Sequence, residues 1–401
     1  MPTIKLLLGL YFVLMATPFL MVLSRNIASP ILVGFAVLGV ALLLASRDFQ
    51  LEKVKTQLSA FRTPLILSGL LLCFMGASLL WSPIPLRGAD AWTATLLNVA
   101  ALIAAFLVVA RFRPNSQTVH LGLAVSLVIT AVLILIEIHY QSPVRTFLGG
   151  TAELFRMNRA AVAISLFLPL LFYVTPKRPF HLVALAIITV LGIYGIFSSI
   201  SESAKLAVLV APIAAAGAYT FGRAAIPYFA AGVLISLWGS PFVAPYINDL
   251  IPQTVHEVVG YGTLGVRADI WSSFGSLLSL KPIFGQGLEA SYVAADVHGH
   301  LVPDEKMLGM AHPHNFAVQV WYELGLTGVV LVTALLLMFF RSLRHLPRAM
   351  MPAVLATTSA VWTVALVSHG ASQSWWWSLV GIVALIWVVI YLTQQETNAP
   401  T

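Results

Sequence analysis

Five of the ten histidines, His256, His298, His300, His312 and His314, fall in one polar stretch together with Arg267 and several carboxylates. Imidazole, with an ordinary pKa of about 6.5, takes or gives a proton near neutral pH. Guanidinium groups clamp phosphates through several charge-assisted hydrogen bonds. Proton transfer beside an anionic ligand is therefore chemistry this set could do. The sharpest arrangement is Ala311-His312-Pro313-His314-Asn315. Asn315 suits the N-cap of the following helix, which carries Gln319 and Glu323, and Pro313 stiffens the approach, so His314 stands at a helix mouth on a rigid mount. A lone loop histidine is usually a solvated surface residue, but two flanking a proline against a cap, in an otherwise apolar chain, argue for function. The same residues allow a metal reading, since His298-x-His300 and His312-x-His314 lie near Asp296 and Asp304. The spacing matches no i, i+4 helical pair, and no metal site is assigned.

These side chains need a scaffold, and the composition names its solvent. Hydrophobic residues make up 59% and charged residues 9% of 401, with mean hydropathy +0.91, far from the mix of a soluble domain. Continuous apolar runs of about 20 residues, enough to cross roughly 30 Å of hydrocarbon, recur without alternation and exclude a β-barrel. The expected fold is an all-α integral membrane protein with about 12 spans, at roughly 4–24, 27–46, 64–81, 91–110, 118–138, 160–176, 181–199, 204–221, 226–239, 325–343, 350–369 and 374–393. The first run is too long for a signal h-region and lacks a convincing small-x-small cleavage site, so it is expected to be retained. Cys73 is the only cysteine, which rules out an internal disulfide and a multi-cysteine metal site. Three parts result: residues 1–238 as a bundle of about nine helices, 239–315 as a polar segment too long for a passive connector, and 316–401 as a bundle of about three.

Arg47, Lys53, Lys55, Arg62, Arg111, Arg113, Lys177, Arg178, Arg223, Arg341, Arg344 and Arg348 share one set of loops. By the positive-inside rule those loops and both termini face the cytoplasm. The opposite loops nonetheless hold Arg25, Arg87, Arg145, Arg156, Arg159, Lys205, Arg267, Lys281 and Lys306. Positives that run against the topological bias need another reason, either lipid-phosphate anchoring or an anionic ligand. The net charge of +7 forms no stripe, so nucleic acid is not an expected partner. Span centres hold almost no ionisable groups, which disfavours an ion-coupled transporter. Trp81, Trp92, Trp375, Trp376 and Trp377 sit at span ends, where an interfacial aromatic belt is expected.

Arg267 opens the stretch R-A-D-I-W-S-S-F-G-S-L-L-S-L, in which Trp271, Phe274 and Leu278 recur on its own helical face. The spacing predicts an amphipathic helix, lying on the membrane or the bundle and stopping at Lys281-Pro282, with Phe284-Gly285-Gln286-Gly287 as a turn. Arg267-x-x-x-Trp271, the K-P-I-F-G-Q-G stretch, and His314-Asn315 followed after nine residues by Gly325 and then Gly328 resemble the O-antigen ligase and polymerase superfamily. The motifs cover roughly residues 262–328, the span pattern extends the likeness over the chain, and the overall likeness is to O-antigen ligases of the WaaL type.

The resemblance implies a GT-C-like fold with a large periplasmic helical loop, set in a bacterial inner membrane. It implies transfer of O-antigen polysaccharide from undecaprenyl pyrophosphate to a sugar hydroxyl of lipid A-core on the periplasmic face, without nucleotide, metal or other cofactor. Its implied partners are that donor, that acceptor and membrane lipids. Attack of a hydroxyl on an anomeric carbon needs a base, for which His314 is the candidate, and an inverting single displacement is expected. The pyrophosphate leaves easily once its charge is neutralised, a part that Arg267, Arg156, Arg159 and Arg145 fit. Lys205, His312 and Asn315 complete the substrate-binding candidates. Lys205 is a departure, because such families often show a Ser-Arg pair where this chain reads Ser201-Glu202-Ser203-Ala204-Lys205, and lysine lacks the bidentate fork. Alternatives within reach of the same residues are an O-antigen polymerase, an O-oligosaccharyltransferase and a lipid or polysaccharide transporter.

Overall fold

In hydrocarbon a backbone finds no hydrogen-bond partner but itself, so long apolar runs close their amides as helices. In a computed structural model of the chain, residues 2–45, 61–250 and 264–397 are described, with 56, 59, 252 and 254, and the described residues contain no strand. His256, Arg47, Lys53 and Lys55 lie outside the described residues. The first helices are α1 (Pro2–Met15), α2 (Thr17–Leu23), α3 (Ala28–Ala45), α4 (Arg62–Ser78), α5 (Pro85–Arg111), α6 (Ser116–His139) and α7 (Asn158–Val174). After them come α8 (Pro179–Ser198), α9 (Glu202–Phe221), α10 (Ala225–Val243), α11 (Val266–Ser276), α12 (Phe316–Leu343), α13 (Met351–Val367) and α14 (Ser374–Thr397). The chain is an all-α, multi-pass membrane protein.

Nine stretches among the described residues are long and apolar enough to cross a membrane, ten if a bent pair counts as one. The expectation was about twelve, and the difference has local causes. The first run is two helices, α1 and α2, bent by 62°. Helix α4 has 17 residues, short of a full span. Residues 202–246 count as one 45-residue stretch, although the chain turns at Gly222, whose φ is +58°, between α9 and α10.

Helix α7 occupies the centre. Its residues from Ala160 to Leu171 are buried without interruption, the pattern of a helix apolar all round and enclosed by others. It packs on α2, α6, α9, α13 and α14. Helix α9 presents Ala204, Ala207, Ala211, Ala214 and Ala218 as a buried stripe against α13, which buries Ala356 and Ala360. Small side chains let backbones approach closely where the hydrophobic effect cannot drive helices together. At one end of the bundle Arg223 donates to the Leu346 carbonyl at 3.0 Å and Arg113 pairs with Glu396. The opposite end carries the first turns of α7, α9 and α12 and the polar segment between α10 and α12.

Helix α12 is not a regular span. Gly325 has φ 60° and ψ −160° inside it, which opens the hydrogen-bond ladder there. The turn after Lys281 closes the gap. Gln286 N and Gly287 N donate to the Tyr322 and Glu323 carbonyls at 2.8 and 2.9 Å, and Leu326 N and Thr327 N donate to the Pro282 and Ile283 carbonyls at 2.8 and 3.0 Å. A Cβ on Gly285 would lie 2.4 Å from the Glu323 carbonyl carbon, and one on Gly325 would lie 2.6 Å from Gly285 N. Both glycines also have positive φ, which L side chains rarely adopt. The glycine pattern of residues 281–328 thus builds a joint between the polar segment and α12. Helix α11 packs Phe274 edge-on to Tyr322 of α12, ring centroids 5.2 Å apart. It ends at Ser276 rather than at Lys281, because single-turn bonds from Leu277, Leu278 and Leu280 take over. Trp375 and Trp376 correct another expectation, since they are 4% and 1% exposed inside the bundle rather than in an interfacial belt.

Candidate functional site

Asn315 caps α12 as its sequence position predicts, with Oδ1 accepting from Val318 N at 3.1 Å. His314, just before the cap, has φ 51°, and Ala311 has φ 64°. Non-glycine residues hold such backbone angles only where their surroundings impose them, and these outliers cluster at functional sites. The backbone N–H of His314 donates to His312 Nδ1 at 3.1 Å, and the two rings lie 4.1 Å apart, centroid to centroid. His314 Nδ1 lies 2.8 Å from the Ser368 carbonyl oxygen. A carbonyl only accepts, so Nδ1 carries the proton and the neutral ring keeps its lone pair on Nε2.

Burial holds the His314 pKa below its ordinary value, opposed by the Ser368 carbonyl and assisted by the charge of Arg267. Burial pushes His312 down to about 3, helped by His314. Both rings are therefore neutral near pH 7. Arg267 sits in the first turn of α11, with the burial that lowers its own pKa countered by Glu202. Glu202 in turn accepts from Lys205 Nζ at 3.0 Å. Glu202 thus pairs with Lys205 and lies within electrostatic reach of Arg267.

The loop from Ser368 to Gln373, between α13 and α14, is the part that sequence reasoning missed. Gln319 receives Ala371 N at 2.8 Å and donates to Glu323 at 2.8 Å. Gln373 reaches His312 Nε2 at 3.1 Å. Ser372 donates to Glu289, and the other Glu289 oxygen meets Arg87 Nε at 2.7 Å. Glu323 also accepts from Ser291 Oγ and from Glu289 N at 3.1 Å. His369 is buried, its ring 4.6 Å from that of Trp375 and its Nε2 without a partner. Burial holds it neutral, and Arg159, His312, His314 and Arg267 all act on it in the same direction. The only signal in the sequence was a run of small and polar residues, Ser368-His369-Gly370-Ala371-Ser372-Gln373, between two spans.

The sequence-selected arginines divide. Arg267 acts on His314. Arg159, at the first turn of α7, lies 4.1 Å over the Trp375 ring and so borders the same site from behind His369. Arg156 pairs with Glu153 at 2.5 Å, and Arg145 is 5% exposed, with Arg156, Glu137, Arg25 and Glu153 as the charges acting on it. Among the described residues no three His, Cys, Asp or Glu side chains are grouped to hold a metal ion. His298 instead lies 3.1 Å from the Tyr322 hydroxyl.

Arg159, Arg267 and residues 312–323 of this site fall inside the segment that comparison with known proteins selects, while the Ser368–Gln373 loop and Arg87 fall outside it. Residues 155–333 match the family described as O-antigen ligase. A Rickettsia conorii protein named as a candidate polysaccharide ligase is 27% identical over 180 residues, 41% of this chain and 41% of that protein. A Rickettsia felis protein of the same description is 24% identical over 313 residues, 75% of this chain and 73% of the relative. The chain thus spans about two fifths of the first relative's length and nearly three quarters of the second's. The helix that carries Arg159 in its first turn, the Arg267 helix, the glycine joint and the His314 mount all lie within the matched segment, and over that segment the chain is similar to the O-antigen ligase family.

Proposed function

We propose that this chain transfers O-antigen polysaccharide from undecaprenyl pyrophosphate to a sugar hydroxyl of lipid A-core. The reading sets it in a bacterial inner membrane with both termini cytoplasmic and the His314 site periplasmic. Residues 239–315 then form the catalytic segment between a bundle of residues 1–238 and one of residues 316–401. The observation that carries the reading is the 2.8 Å contact of His314 Nδ1 with the Ser368 carbonyl. It leaves Nε2 as a free base beside Arg267. In the proposed step Nε2 removes the proton of the acceptor hydroxyl, the oxygen attacks the anomeric carbon from the face opposite the phosphate, and the carbon–oxygen bond to the carrier breaks. The pyrophosphate keeps that electron pair, and Arg267 with Lys205 offsets its charge. Configuration at the anomeric carbon inverts.

The test is a lipopolysaccharide gel, with parallel analysis of carrier-linked glycan, from cells lacking the gene and complemented with wild type or His314→Ala. Loss of the ladder on lipid A-core with long polymer left on the carrier supports a ligase that needs His314. Single repeats still reaching the core while long chains vanish would identify a polymerase and remove the acceptor assignment.

A further inference from the structure

Arg25, Arg145, Arg156 and Arg159 come from three separate stretches of chain and meet at the site end. Arg159 Nη1 donates to the Arg25 carbonyl at 3.1 Å, and Arg159 also bonds Asn26. Arg156 lies one turn before Arg159 in sequence. Arg145 lies within electrostatic reach of Arg156 and Arg25. Two carboxylates act on Arg145: Glu153, paired with Arg156, and buried Glu137, whose Oε1 accepts from Val144 N at 2.9 Å and whose Oε2 has no hydrogen-bond partner. Four guanidinium groups against two carboxylates leave a surplus of positive charge. Arg145 is 5% exposed, yet its Nε finds no hydrogen-bond partner. A buried guanidinium donor left open is costly, and an anion with several acceptor oxygens would satisfy it. The charge that acts on His314 is that of Arg267, whereas Arg25 and Arg156 act on Arg145. Arg159 lies 4.1 Å over the Trp375 ring, and buried His369 packs on that same ring at 4.6 Å.

We propose that Arg25, Arg145, Arg156 and Arg159 form a second anion site, separate from the one beside His314, which takes a phosphate carried by the acceptor glycolipid. The assignment of its source rests on the acceptor reading above. A phosphate monoester supplies three oxygens for a multi-guanidinium clamp, and holding the acceptor there would orient its sugar hydroxyl toward Nε2 of His314 without engaging the donor pyrophosphate. Phospholipid headgroups offer the same chemistry, so the test must separate the two sources.

Binding of lipid A-core with its phosphates, and of the same glycolipid enzymatically stripped of them, is measured on the purified full chain in a phosphate-free detergent. Wild type should bind the phosphorylated form more tightly by roughly tenfold, the size of one or two charge-assisted hydrogen bonds. Arg25→Gln should lose that preference and Arg25→Lys keep much of it, with unfolding temperatures confirming that both fold. If phosphatidylglycerol nanodiscs abolish the wild-type preference, and Arg25→Gln weakens phosphatidylglycerol binding, the anion site stands and the bilayer supplies its phosphate. Equal binding of both glycolipids by wild type in detergent, or a preference undiminished in Arg25→Gln, overturns the proposal. Transfer is scored separately, so a wild type that shows the preference but transfers nothing counts against the ligase reading and leaves the anion site in place.

Discussion

Nδ1 of His314 and the carbonyl oxygen of Ser368 lie 2.8 Å apart across 54 residues of chain. The bond joins the mouth of α12 to the loop after α13 and sets the tautomer of the imidazole proposed as the base. The first prediction concerns that base. His314→Ala should lower transfer by about 10²- to 10⁴-fold, the usual contribution of a positioned general base, with folding intact. Turnover on purified donor and acceptor, beside a thermal unfolding curve, checks it.

Its pH dependence has a stated sign. Burial and Arg267 hold the His314 pKa below its ordinary value of 6.5. The acid limb of kcat/KM should therefore have its midpoint below 6.5, with full activity above. Arg267→Gln removes a positive charge that favours the neutral ring, so the midpoint should rise while the rate falls. A profile unmoved by that substitution would separate Arg267 from the base.

His312 bears on stability instead. Its pKa is pushed to about 3 from 6.5, so the unfolded chain binds a proton more readily than the folded one as pH falls through that interval. Stability should thus rise with pH between about 3 and 6.5 and be fully present above 6.5. His312→Gln should flatten this dependence. Unfolding temperatures in detergent at pH 5 and pH 7.5, for wild type and variant, measure the difference.

Gln319 ties Ala371 to Glu323 through both ends of its amide. Gln319→Ala leaves the Ala371 N–H and one Glu323 contact unmet in a buried place, at a cost of about 1–3 kcal/mol. Because Ala371 lies three residues beyond Ser368, the rate should fall as well, chiefly in kcat. Gln319→Glu, which sets a second carboxylate against buried Glu323 where the amide nitrogen had donated, should be no more stable than Gln319→Ala.

Gly285→Ala and Gly325→Ala test the joint between the polar segment and α12. Each adds a Cβ where backbone stands at 2.4 or 2.6 Å and where φ is positive. Both variants should lose yield and transfer together, while Gly217→Ala, where a Cβ meets nothing within 4 Å, should leave yield and transfer near wild type. Detergent-extracted yield and melting temperature report it.

Much of this was legible from residue order alone, for reasons of range. Span-forming runs are local and their signal is summed over about 20 side chains, so the run of helices was readable. The Asn315 cap also depends on a residue three positions away, and its helix began where expected. What could not be read was anything held by distant partners. Glu289 meets Arg87 across 202 residues and Ala371 meets Gln319 across 52, with no periodicity to announce either. Trp375 at a helix start has the sequence look of an interfacial ring, yet the arrangement of α7 against α14 turned it inward under Arg159. Spacing along the chain marked His314 and Arg267 as reactive types, because a side chain's chemistry travels with the residue. The tautomer of one and the neighbours of the other depend on through-space contacts, which exist only once the helices have packed.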